Sequence, residues 1–162
     1  MAAIDTPIIS ASDALENASE SAIRLVELRP HILSVSGSQS DHTALCRIVE
    51  NTQWRVTTAA TCREAGQKLP SIGALAIFSE SFLPDGSWKD LLELTSTLDK
   101  PPVLVVTSRL ADDFLWSEVL NLGGYDVLLK PLVKDEVLRT LASIYPHRAY
   151  PRLNTRVLHA AS

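Results

Sequence analysis

From His31 onward, short apolar runs alternate with segments in which apolar residues recur every three or four positions. The runs HILSVS (31–36), WRVTTA (54–59), GALAIF (73–78), PVLVVT (102–107) and YDVLLK (125–130) are the candidate strands. Several are near-continuous in Val, Ile and Leu, as expected when both faces of a parallel sheet are covered. The intervening stretches of about ten to fifteen residues have helical spacing, the signature of repeated βαβ units. The pattern predicts an α/β fold, doubly wound, with five strands and five helices in strict alternation.

Helix starts are legible as well. Ser38–Asp41, Thr61–Glu64 and Ser87–Asp90 each fit the [ST]-x-x-[DE] capping box, in which side chains satisfy the orphan N–H groups of a first turn. Ala44, Leu45, Ile48 and Val49 give the first helix an apolar face, as do Leu91, Leu94 and Leu98 for the third and Val137, Leu138, Leu141 and Ile144 for the last. On the fourth, Leu115, Val119 and Leu122 form a stripe suited to the sheet, and Gly123 and Gly124 stop the helix. Residues 1–30 stand outside the alternation: 12–28 has helical content but a ragged period, and a disordered or loosely docked extension is expected. The same is expected of 147–162, leaving 31–146 as the domain.

Composition narrows the class. An apolar fraction of 46% with 21% charged residues suits a soluble globular domain, and no apolar run approaches the ~18 residues of a membrane span. Cys46 and Cys62 lack ligand-like spacing, so a reduced, cytoplasmic chain is expected. The net charge of −4 is uneven. Residues 1–30 carry Asp5, Asp13, Glu16, Glu20 and Glu27 against Arg24 and Arg29, whereas Arg148, Arg152 and Arg156 follow Pro146 with no acid. Three arginines are too few for a nucleic-acid footprint, so no nucleic-acid partner is expected. His31, His42, His147 and His159 are scattered, so no metal site is expected.

In open α/β sheets, ligands gather at the carboxyl ends of the strands. Those positions are Ser36–Gly37, Glu80, Thr107–Ser108 and Lys130–Pro131. Over roughly 31–145 the segments AIFSESFLPDG, PPVLVVTSR and LGGYDVLLKPL resemble the later signature regions of response-regulator receiver domains. The resemblance implies a flavodoxin-like (βα)5 fold with strand order 2-1-3-4-5. It also implies phosphate transfer from a histidine kinase to an aspartate, assisted by magnesium on an acidic pair after the first strand.

The sequence departs from that chemistry. Four residues before Pro84, the family's aspartate position holds Glu80, and the acidic-pair positions hold Ser36 and Gly37. Magnesium demands several oxygen ligands in a near-ideal octahedron, which this set supplies poorly. Without it, nothing neutralises the charge of phosphoryl transfer. Thr107 and Lys130 match the positions that contact the phosphoryl group. Lys130 is expected to point at Glu80, either locking an active-like state or merely closing a vacant pocket. Val127 stands where the family keeps its switch aromatic, with Tyr125 two residues earlier and expected on the same strand face.

The resulting expectation is a stand-alone pseudo-receiver: not an enzyme, without cofactor or metal, and binding a protein partner or itself. The face would be the fourth helix, fifth strand and fifth helix. There Trp116 and Leu120 form a second stripe about 100° round the helix. A chain extension covering Trp116 is the bland alternative. A rival function is a flavodoxin-like small-ligand or anion binder using SVSGSQSDHTA, a serine-rich loop before a helix N-terminus that loosely resembles the flavodoxin phosphate loop. Asp85, in a Pro-Asp-Gly turn, is accounted for by turn chemistry alone.

Overall fold

The computed structural model describes Ile8 and residues 10–27 and 29–149. In chain order the strands are β1 (His31–Val35), β2 (Arg55–Ala59), β3 (Ala76–Glu80), β4 (Phe82–Leu83), β5 (Gly86–Ser87), β6 (Val103–Ser108) and β7 (Asp126–Leu129). The helices are α1 (Ala11–Glu27), α2 (Gln39–Val49), α3 (Cys62–Ile72), α4 (Trp88–Ser96), α5 (Asp113–Leu122) and α6 (Lys134–Ala149). Five strands form one parallel sheet in the order β2-β1-β3-β6-β7, the expected flavodoxin-like arrangement. The chain reverses its direction of winding between β1 and β3, so the switch point lies at Val35–Ser36 and Glu80.

Alternating strand residues feed two cores. Leu33, Val35, Ile77, Leu104, Val106 and Val127 pack against Leu69 of α3, Leu91 of α4 and Val119 of α5. Ile32, Phe78, Val105 and Leu128 pack against Leu45 of α2 and Val137, Leu141 and Ile144 of α6. Burying each Leu, Ile or Val stabilises by about 1.5–3 kcal/mol, and this period-two division holds the carboxyl ends of the strands level.

Several boundaries differ from the sequence reading. The third strand runs over Ala76–Glu80 instead of 73–78, because Gly73 is the left-handed C-cap of α3 at φ 57°. α6 continues to Ala149, three residues beyond the expected domain edge at 146. Residues 11–27 form a helix with its apolar residues on one side, where a ragged period was expected, and those from Ala11 to Ile23 are exposed. The expectation for 150–162 lies outside the described residues.

The capping boxes fare unequally. Ser87–Asp90 forms in full. Thr61 accepts the Glu64 N–H at 3.1 Å, but Glu64 Oε2 reaches back to the Ala60 N–H instead of that of Thr61. Ser38 makes no side-chain cap, since its hydroxyl pairs with that of Ser40 and Asp41 is drawn elsewhere. Asp85 does more than turn the chain. Its carboxylate accepts the Cys62 and Arg63 N–H groups at 2.7 and 3.0 Å, tying the β4–β5 hairpin to the start of α3. The Arg63 and Cys62 N–H groups hold that carboxyl below its ordinary range.

Candidate functional site

The parallel register sets the carboxyl ends of β1, β3, β6 and β7 side by side. The Ser36 N–H donates to Ala59 O at 3.0 Å, extending the end of β1 by one residue. Glu80 closes β3 opposite Thr107 of β6. The Lys130 N–H donates to Ser108 O at 2.9 Å, which places its side chain over the same end of the sheet.

There Lys130 Nζ lies 2.8 Å from Glu80 Oε1, the pairing expected from sequence. It also lies 2.8 Å from Asp41 Oδ2, in the first turn of α2. The Lys130 side chain is 7% exposed, so its charge is held by these two carboxylates and not by water. The Ser36 hydroxyl stands within donating distance of both acids, 2.6 Å from Asp41 Oδ2 and 3.0 Å from Glu80 Oε2, and accepts the Ser38 N–H at 3.0 Å. The result is a closed ring of Ser36, Asp41, Lys130 and Glu80.

Electrostatics follow from the ring. Burial works to raise the Asp41 carboxyl, but the hydrogen bonds from Lys130 and Ser36, with the lysine's charge, leave it below its ordinary value. For Lys130 burial works to lower the ammonium, and the hydrogen bonds to Asp41 and Glu80 outweigh it, so the group titrates above a free lysine.

Two further residues shape the site. His42 is buried with Nε2 3.0 Å from Ser36 O and Nδ1 2.8 Å from Ser34 Oγ. A carbonyl can only accept, so Nε2 carries a proton and donates it to Ser36 O. The imidazole thus pins Ser36 from its backbone side. Gly37 faces Pro84, whose Cγ would stand 3.2 Å from an added Cβ, so the loop after β1 can close onto the β4–β5 hairpin.

In the sequence Asp41 fits a capping box and His42 is one of four scattered histidines, so neither stands out as a site residue. The available signal was position: both lie in the first turn of the helix that opens over the switch point. Thr107 is buried beside Glu80, and among the described residues no hydrogen bond joins its hydroxyl to the ring. The serine-rich loop spends its polar groups internally and turns Ser36 toward two carboxylates.

On the flank, Trp116 and Leu120 are 50% and 37% exposed, and the described residues leave both open to solvent. Leu122 differs from expectation. It is the last residue of α5 and is 51% exposed, lining a groove with Leu92 and Pro101 instead of packing into the core. Tyr125 also departs from expectation. It precedes β7, so the period of two does not reach it. It packs with the Leu128 side of the sheet and hydrogen-bonds Ser143 of α6 at 2.6 Å, while Val127 faces the other core.

No family model matches the chain. Among curated sequences, the two-component response regulator ORR11 of Oryza sativa subsp. indica is 27% identical over 121 residues, 72% of this chain and 82% of that protein. ORR5 of Oryza sativa subsp. japonica is 27% identical over 119 residues, 71% of this chain and 88% of the relative. Among solved structures, a two-component response regulator from Clostridium difficile superposes with TM-score 0.65 at 25% identity, covering 77% of this chain and 98% of the other. The chemotaxis response regulator CheY4 of Vibrio cholerae superposes with TM-score 0.64 at 20% identity, covering 71% and 98%. The chain has the receiver fold, and these sequence relatives and structural neighbours are response regulators.

Proposed function

We propose that this chain is a pseudo-receiver of two-component signalling, which works by binding a protein partner and does not accept phosphate. The observation that carries this reading is the Lys130 ammonium seated 2.8 Å from both Glu80 and Asp41. Receiver chemistry uses an aspartate where Glu80 stands, and a carboxylate pair where Ser36 and Gly37 stand. The residues present do not fit the family's magnesium. The two carboxylates at this end of the sheet already share a cation, and Ser36 and Gly37 add at most a neutral hydroxyl toward an octahedral shell. A dication entering the ring would have to displace a fixed positive charge.

With Glu80 committed to Lys130, the domain is held in one state by its own side chains. Its output is then a surface. The α5–β7–α6 flank suits that role, because Trp116 and Leu120 are apolar, half open to solvent and close to the sheet edge. The reading is tested by incubating the protein with acetyl phosphate and magnesium and weighing it intact. Unchanged mass is expected, together with unchanged melting in millimolar magnesium. One phosphate mapped to Glu80 would overturn the proposal.

A further inference from the structure

At one end of the domain, five large apolar side chains stay open to solvent. Phe82, Leu110 and Phe114 are more than three-quarters exposed, and Leu129 and Val133 are half exposed. Each closes or follows the carboxyl end of β3, β6 or β7, the end that carries the ring. The backbone draws them together around Ser108. Leu129 is the register partner of Ser108, whose hydroxyl accepts the Leu110 N–H at 3.1 Å. The Ser81 hydroxyl, one residue before Phe82, stands 3.5 Å from that of Ser108. Phe114 follows in the first turn of α5, and Val133 in the short link from β7 to α6.

Single exposed apolar side chains are ordinary on a monomer, but a contiguous patch of them is not. Together these five expose on the order of 600 Å², at the upper end of what monomers leave open and approaching the ~800 Å² that each partner gives to a standard interface. Charge points to the occupant. Arg109 adjoins Leu110 and Asp113 adjoins Phe114; both are exposed, and none of the ion pairs among the described residues engages either. With one sign on each side of Leu110, the patch complements its own copy. Around a two-fold axis near Leu110, Arg109 of each molecule meets Asp113 of the other.

We propose that this rim is the interface of a homodimer, separate from the Trp116–Leu120 flank and set over the end of the sheet that holds the ring. Leu110 and the two phenylalanines form its apolar centre, and the Arg109–Asp113 pairs fix the orientation of the two copies.

Light scattering on the full chain across a dilution series tests it. A dimer mass is expected at tens of micromolar, falling to the monomer on dilution. Leu110→Glu should raise the dissociation constant at least tenfold and leave the far-ultraviolet circular dichroism unchanged, because this side chain serves no core. R109E alone and D113R alone should each be monomeric where the wild type is dimeric, since each sets like charges face to face. An equimolar mixture of those two variants should recover the dimer, because every contact then joins opposite signs. Trp116→Ala should leave the dimer intact. A monomer mass throughout, a dimer indifferent to Leu110→Glu, or a mixture that stays monomeric would overturn the proposal. A dimer lost in Trp116→Ala but kept in Leu110→Glu would also overturn it, giving self-association to the flank.

Discussion

Lys130 and Glu80 are 50 residues apart in the chain and meet at 2.8 Å, with Asp41 at the same distance on the lysine's other side. A shared cation makes the three substitutions unequal. Glu80→Gln leaves Lys130 its Asp41 partner, and Asp41→Asn leaves it Glu80. Lys130→Met leaves two carboxylates facing each other across a pocket. Breaking a fully buried pair costs roughly 3–5 kcal/mol; these acids are partly solvated, so about 1–3 kcal/mol is expected for Lys130→Met and less for either acid. Combining Lys130→Met with Glu80→Gln should recover part of the loss. Denaturant melts of the set measure this, and additive losses would show that the side chains are uncoupled.

The same ring predicts how stability varies with pH. The Asp41 carboxyl is held below its ordinary value in the fold, so the unfolded chain binds that proton more readily. Its contribution is therefore present above the ordinary aspartate range and is lost as pH falls through the lowered value. Lys130 behaves in the opposite sense. Its raised value stabilises fully below the ordinary lysine range, and the contribution is lost as pH climbs through it. Melts of wild type and Asp41→Asn should thus differ at neutral pH and converge in acid. Constant separation across the acid limb would contradict the assignment.

What sequence could show of this site was set by where each residue is anchored. Glu80 and Lys130 end strands, and a parallel sheet brings strand ends together whatever the helices do, so their pairing was legible. Asp41 enters from a helix turn, and its local pattern with Ser38 offered a capping role that competes with the ring. Only tertiary packing decides between those uses of one carboxylate. Tyr125 shows a similar limit. Its face follows from whether β7 begins at 125 or 126, a boundary within the usual ambiguity of strand ends. The helix over Ala11–Glu27 was hidden because its apolar side is built mainly of small alanines, Ala11, Ala14, Ala18 and Ala22, with Leu15, which give a weak signal beside the Leu- and Val-rich helices.

The two cysteines should differ sharply in reactivity. Cys46 is exposed on α2, whereas Cys62 is buried at the start of α3. Burial, with the nearby Asp85 carboxylate, pushes the Cys62 thiol up to about 11. Thiolate is the reacting species, so at pH 8 Cys62 is almost entirely protonated as well as sheltered. A maleimide or iodoacetamide time course read by peptide mass should label Cys46 quickly and Cys62 slowly. Asp85→Asn should speed labelling of Cys62, because it removes the charge that opposes the thiolate. Equal rates at the two sites in the folded protein would contradict this account.

Trp116 gives the remaining test, because folding and association ask different things of it. The sheet is already covered beneath α5 by Val119, fully buried, and by the partly buried Leu115. Trp116 is half exposed, so Trp116→Ala removes little packing and should change monomer stability by less than about 1 kcal/mol. At a partner interface the same indole would be covered, and buried tryptophans there are commonly worth about 2 kcal/mol or more, roughly a 30-fold loss of affinity. Leu120→Ala, one turn along, should weaken binding less, since it presents a smaller apolar surface. Thermal melts paired with light scattering on the protein alone, and with titration against any captured partner, separate the two effects. A melting temperature that falls by several degrees in Trp116→Ala, with mass and binding unchanged, would mean that the indole serves the fold and that the flank is not the contact surface.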